Sequence, residues 1–133
     1  MIAVDTNILV RLLTGDHPEQ SEAARRFMEA RSVEDPIYIC REVLLELVWV
    51  LTHSYRYERE DVAQVIYDLL IAPDVTIEAD AEVRAIWKQY RATPRLDFAD
   101  AMIAAAAERA GASEVVTFDR RLATLLNVRL LEA

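Results

Sequence analysis

The chain has 133 residues, enough for one domain and a self-sufficient core. With 53% hydrophobic and 29% charged residues, and only 2 Gly and 4 Pro, it is not disordered, collagen-like or of low complexity. Its net charge of −8 argues against a protein that coats nucleic acid with a basic surface, although acids gathered to hold divalent cations would give the same sign.

Short β-branched segments alternate with longer helical patterns. Ile2–Asp5 reads as a first strand, and a helix follows Pro18, a favoured first helical residue. Ile37–Cys40 reads as a second strand, followed by helices over about Glu42–Tyr55 and from about Glu58 to just before Pro73. A third strand at Val75–Ile77 precedes helices over about Asp80–Arg91 and Asp97–Ala110, the last stopped by Gly111. Val115–Phe118 reads as a fourth strand and Val128–Leu131 as a fifth. The first, second and fourth are nearly unbroken apolar runs, the pattern of strands covered on both faces. The alternation predicts an α/β fold: a three-layer α/β/α sandwich around a mainly parallel sheet of four to five strands. No linker or repeat interrupts it, so residues 1–133 are expected to form a single domain.

One cysteine, Cys40, rules out an intrachain disulfide and a Cys-rich zinc site, and suits a reducing, cytoplasmic setting. No apolar run nears the ~18 residues of a membrane span, and the first residues lack a basic leader pattern. Lys88 is the sole lysine, which disfavours chemistry that needs a positioned amine, and no Gly-rich phosphate loop is present. His17 and His53 lie in unrelated segments and read as a loop residue and a helix-end residue.

The acids are better placed. Parallel sheets bind ligands beyond the carboxyl ends of their strands, and Asp5 and Asp119 directly follow the first and fourth strands. Each could equally be the N-cap of a following helix. Glu46 lies among apolar residues on a stripe shared with Glu42, Trp49 and His53, which faces either water or a cleft. Asp97 and Asp100 stand three apart at a helix start, either as cap and first-turn acid or as ligands. The alanine run behind them suits close approach to the sheet. Together Asp5, Glu46, Asp97, Asp100 and Asp119 would make an all-oxygen set, which selects Mg²⁺ or Mn²⁺ over zinc. Such a site is suited to phosphodiester hydrolysis.

Val4-Asp5-Thr6-Asn7-Ile8-Leu9, Val43–Leu51 around Glu46, Asp97–Ala104 around Asp100, and Val116-Thr117-Phe118-Asp119 fall in the order and spacing of four family motifs. On these residues the chain resembles the PIN-domain family, and within it the VapC-type toxins of prokaryotic toxin–antitoxin pairs. The resemblance implies a Mg²⁺- or Mn²⁺-dependent ribonuclease with Asp5, Glu46, Asp100 and Asp119 as catalytic metal-binding acids and Asp97 as an accessory ligand. It further implies that Thr6 or Asn7 supports the metal shell, that the protein forms a homodimer, and that a small cognate antitoxin protein neutralises it. Bound cations would offset most of the acids' charge toward RNA, and Arg11, Arg120 and Arg121 are placed to contact flanking phosphates. Phe27, Trp49, Tyr55, Tyr57 and Trp87 are the large apolar residues expected to be partly exposed, as core edges or as a partner seam.

Two other functions fit parts of this pattern. A haloacid-dehalogenase-like phosphatase also carries an Asp after its first strand, but needs a second acid two positions on, where this chain has Asn7, and a positioned lysine. A phospho-receiver domain meets the same objection over the lysine. In a non-enzymatic protein-binding module the acids would be caps and solvated faces.

Overall fold

A computed structural model describes residues 1–133. The chain forms two compact units, Met1–Asp80 and Ala81–Ala133.

The first unit begins with strand β1 (Ile2–Ala3), helix α1 (Thr6–Thr14) and helix α2 (Pro18–Glu29). It continues through β2 (Ile37–Ile39), α3 (Arg41–His53), α4 (Arg59–Ile71) and β3 (Val75–Ile77). The strands form a parallel ladder in the order β1-β2-β3, with Ile2 opposite Ile37 and Ile39 opposite Ile77. Parallel neighbours require long crossovers. α1 and α2 occupy the first and α3 and α4 the second. The core of this unit is aliphatic: Val10, Ile37, Ile39, Leu44, Leu47, Leu51, Val62 and Ile66 are essentially inaccessible to water. Each such side chain contributes about 1.5–3 kcal/mol of burial free energy before conformational entropy is set against it. In α3 the buried set Leu44, Leu47, Val48 and Leu51 leaves Glu42, Glu46, Trp49 and His53 exposed on the opposite face.

α1 is a helix beyond the five expected from the pattern. Its apolar run Ile8-Leu9-Val10 follows so closely on Ile2–Val4 that the two periodicities blur. Asp5 separates them, as an extended N-cap residue. At the other end Gly15 adopts φ 65°, and its N–H donates to the Arg11 carbonyl, closing the helix with a left-handed cap.

The second unit holds α5 (Asp80–Ala92, which starts at the division), α6 (Phe98–Arg109), β4 (Val115–Thr117) and β5 (Val128–Leu130). A single turn of 3₁₀ helix lies between the two strands at Leu122–Thr124. β4 and β5 pair in parallel, with Val115 opposite Val128 and Thr117 opposite Leu130. Val83, Ile86, Tyr90, Leu96, Phe98, Ala101, Met102 and Leu122 are buried. Tyr90 and Phe98 meet edge to face, with ring centroids 5.6 Å apart.

The α/β class and parallel pairing follow the sequence expectation, with the five strands bonded as one three-stranded and one two-stranded ladder. Only β2 is covered as its apolar run suggested. Ile2 in the edge strand β1 and Val116 in the two-stranded ladder are both more than two-fifths exposed, so neither strand is covered on both faces. Ala101, Ala104, Ala105 and Ala107 line an open hollow of about 810 Å³ with Ile86, Leu125 and others, since their methyl groups fill little of the space beside α6. No helix is long and apolar enough to cross a membrane.

Candidate functional site

In the first unit Asp5 stands just past the carboxyl end of β1, with extended backbone (φ −90°, ψ 176°). Its Oδ1 accepts the Ile8 N–H at 3.3 Å, a long capping bond. The capping role foreseen for Asp5 is therefore real, and it engages one oxygen of the two. Thr6 is buried as the first residue of α1, and Asn7 beside it is exposed. Glu46 sits mid-way along the exposed face of α3. α1 and α3 pack against each other, but no hydrogen bond joins Asp5 to Glu46. Arg11 is committed elsewhere. Its Nε donates to Gln20 Oε1 at 2.7 Å, and its guanidinium lies 3.4 Å from Asp16. Asp16 also accepts the Thr14 hydroxyl at 2.9 Å and the Tyr55 hydroxyl at 2.6 Å. These bonds, the Tyr55 hydroxyl's foremost, hold the Asp16 carboxyl below the usual range. His17 caps α2 through Nδ1, which accepts the Gln20 N–H, and His53 ends α3.

In the second unit three acids lie close enough to sense one another. Asp97 has N-cap geometry at α6 (φ −73°, ψ 142°), yet its side chain makes no capping bond. Only its carbonyl joins the helix, accepting the Ala101 N–H at 3.1 Å. Asp100 is half-buried in the first turn. Burial raises its carboxyl above the ordinary range, and the negative charges of Asp97 and Asp119 raise it further, against a smaller opposing pull from Arg121. Asp119 follows β4 and the exposed Phe118. Its Oδ1 accepts the Arg121 N–H at 2.8 Å, and the Arg121 guanidinium lies 3.4 Å from both carboxylate oxygens. These contacts, the backbone one first, pull the Asp119 carboxyl down, while the pairing raises Arg121. Arg120 is exposed.

The structure thus brings Asp97, Asp100, Asp119 and Arg121 together within the second unit, and places Asp5, Thr6, Asn7 and Glu46 in the first. Within neither unit do three His, Cys, Asp or Glu side chains already form a group that could hold a metal ion. The donor chemistry nevertheless fits a hard divalent cation. Every donor is a carboxylate oxygen, and Asp100 carries an unfavourable charge that a cation would relieve.

The sequence matches the PIN domain family over residues 2–125, a span that runs through both units. The chain belongs to the PIN-domain family. It is also similar to a VapC ribonuclease of Aquifex aeolicus (strain VF5), with 32% identity over 126 residues, covering 94% of this chain and 92% of that protein. Two features of this PIN domain escaped the sequence. The Asp119–Arg121 turn has a faint local signal, an acid two residues before an arginine, which reads as easily as surface charge. The stack of Trp49 on His53 also has one, an i,i+4 aromatic pair on the exposed stripe.

Proposed function

We propose that this PIN domain is the toxin of a type II toxin–antitoxin system, a Mg²⁺- or Mn²⁺-dependent ribonuclease that hydrolyses RNA phosphodiester bonds. Family membership and the VapC relative support the nuclease class. The observation that supports the chemistry is the setting of Asp100 at the head of α6, half-buried and within reach of the charges of Asp97 and Asp119, so that burial first and those charges next disfavour its ionised form.

In this proposal Asp5, Glu46, Asp100 and Asp119 are the catalytic metal-holding acids and Asp97 is accessory. A divalent ion held there supplies Lewis-acid activation of water and neutralises charge at the scissile phosphate. Thr6 and Asn7, next to Asp5, support its orientation. Arg121 steadies Asp119 through the turn bond and supplies positive charge for a neighbouring phosphate, and the exposed Arg120 offers a second contact. Arg11, bound to Gln20 and Asp16, holds α1 to α2 and is not assigned to RNA. The domain spans residues 1–133, works as a cytoplasmic homodimer and is silenced by a cognate antitoxin protein.

The test is cleavage of a labelled total-RNA preparation by the purified chain with Mg²⁺ or Mn²⁺. The same chain with EDTA and the Asp119→Asn variant serve as controls, and p-nitrophenyl phosphate is a parallel substrate. The expected result is metal-dependent RNA cleavage lost in Asp119→Asn, with the phosphate monoester untouched. Phosphate release without RNA cleavage would favour the phosphatase instead.

A further inference from the structure

The exposed face of α3 carries an aromatic device that the metal chemistry does not use. Trp49 is 58% exposed, and no other large hydrophobic residue of α3 is exposed. Its ring lies on that of His53 with centroids 4.7 Å apart and planes 18° from parallel. His53 is itself fixed. Its Nδ1 lies 2.9 Å from the Trp49 carbonyl, and since a carbonyl only accepts, Nδ1 carries the proton and donates it. One ring face of Trp49 is thus backed by a second ring and the side chain is held in place. Leaving a tryptophan surface in water is unfavourable, and this one is pre-organised rather than tucked away. Trp49 also follows Glu46 by three residues, so their Cβ atoms are separated by roughly one helical step of ~5–6 Å.

We propose that Trp49, backed by His53, is a stacking platform for an unpaired base of the RNA, setting the position of the strand relative to Glu46. The inference rests on the ribonuclease reading above and names a substrate-positioning residue within it. A nucleobase is favoured over a protein partner by the surroundings. On the exposed face of α3 Trp49 is the one large apolar side chain, alongside the exposed Glu42, Glu46, Thr52 and His53, whereas protein interfaces need a contiguous apolar centre within about 800 Å² per partner. Single-stranded RNA is held by such isolated aromatic faces, because every base offers a π-surface of its own. An indole face offers a phosphate no hydrogen-bond donor, so the base rather than the backbone is what the ring of Trp49 meets. Unpaired segments are accordingly preferred to duplex, whose bases are already stacked.

Trp49 and Trp87 are the two tryptophans, so Trp87→Phe leaves Trp49 as the sole indole emitter. Titration of that variant with a single-stranded oligoadenylate in Ca²⁺, a hard cation for the same oxygen ligands used in place of Mg²⁺ so that the probe stays intact, should quench its emission saturably. By fluorescence anisotropy Trp49→Leu should weaken binding of the same oligonucleotide about tenfold, and Trp49→Phe, which retains a ring, by less than about threefold. A duplex of equal length should give no quenching. The inference is overturned if the oligonucleotide binds without altering Trp49 emission, or if Trp49→Leu binds it like the wild type. It is also overturned if Trp49→Leu halves the solution mass by light scattering, which would make the ring part of a protein seam. A wild-type chain that neither binds nor cuts RNA would remove the ribonuclease reading itself, whereas RNA cleavage with an unresponsive Trp49 removes this inference alone.

Discussion

Asp5 and Asp97 occupy equivalent backbone positions, extended residues immediately before α1 and α6. At Asp5 the side chain caps, receiving the Ile8 N–H. At Asp97 it does not, and its charge is felt instead by Asp100. Residue type and placement alone would give both the same job. The difference lies in what each carboxylate has nearby. Asp97 lies close enough to Asp100 for its charge to be felt there, as does Asp119, while Asp5 spends one oxygen on its own helix. An N-cap aspartate can thus be a helix terminator, a ligand in waiting, or partly both, and only the hydrogen bond separates these cases.

That contrast can be broken most sharply by activity. Asp5→Asn and Asp119→Asn should each lower metal-dependent RNA cleavage by more than the ~10–100-fold that outer partners of a metal site are worth, with unchanged circular dichroism. Asparagine keeps the volume at both positions and can still cap α1. Wild-type cleavage by either variant would remove that acid from the catalytic set. Next in size is a stability difference. Asp5→Ala removes a working cap and should cost about 0.5–1 kcal/mol, a fall of about 2–5 °C in melting temperature, with Asp5→Asn near wild type. Asp97→Ala should change stability by less than about 0.5 kcal/mol, because no capping bond is lost. If its melting temperature fell as far as that of Asp5→Ala, the two caps would be alike after all.

The smallest effect concerns pH. The Asp16 carboxyl is lowered chiefly by the Tyr55 hydroxyl. A carboxyl depressed in the folded state stabilises above its unfolded value near 3.8, and that stability disappears as pH falls through the lower folded value. Tyr55→Phe should therefore flatten the loss of stability in acid below about pH 4, measured by urea unfolding at several pH values. A slope identical to wild type would mean that the bond is absent in solution.

Much of this was legible from composition and spacing because the cues were local. Asp5 and Asp119 follow apolar runs that do form strands, and Pro18 and Gly111 mark the start of α2 and the turn after α6. The exposed stripe of α3 follows from 100° spacing. What escaped depended on distant residues or on the absence of a contact. Arg11 resembled a phosphate contact until Gln20 and Asp16 were found on it, with Tyr55 reaching Asp16 from 39 positions away. The exposure of Ile2 in β1 and Val116 in β4 depended on what covers the faces of those strands, which apolar runs do not encode. The large apolar residues expected to be partly exposed are so: Trp49 is well exposed, and Phe27, Tyr55, Tyr57 and Trp87 are half-buried.

The alanines of α6 carry a consequence for motion. α3 sinks Leu44, Leu47, Val48 and Leu51 into the first unit, whereas α6 buries only Phe98, Ala101 and Met102, all within its first turns, and then borders an open hollow. A helix so lightly anchored opens to solvent at low free-energy cost. Its backbone amides beyond Met102 should exchange with deuterium well before those of α3. The carboxylates at its head are then mounted on a segment able to breathe, and the arrival of a cation could be registered as slowed exchange along its whole length.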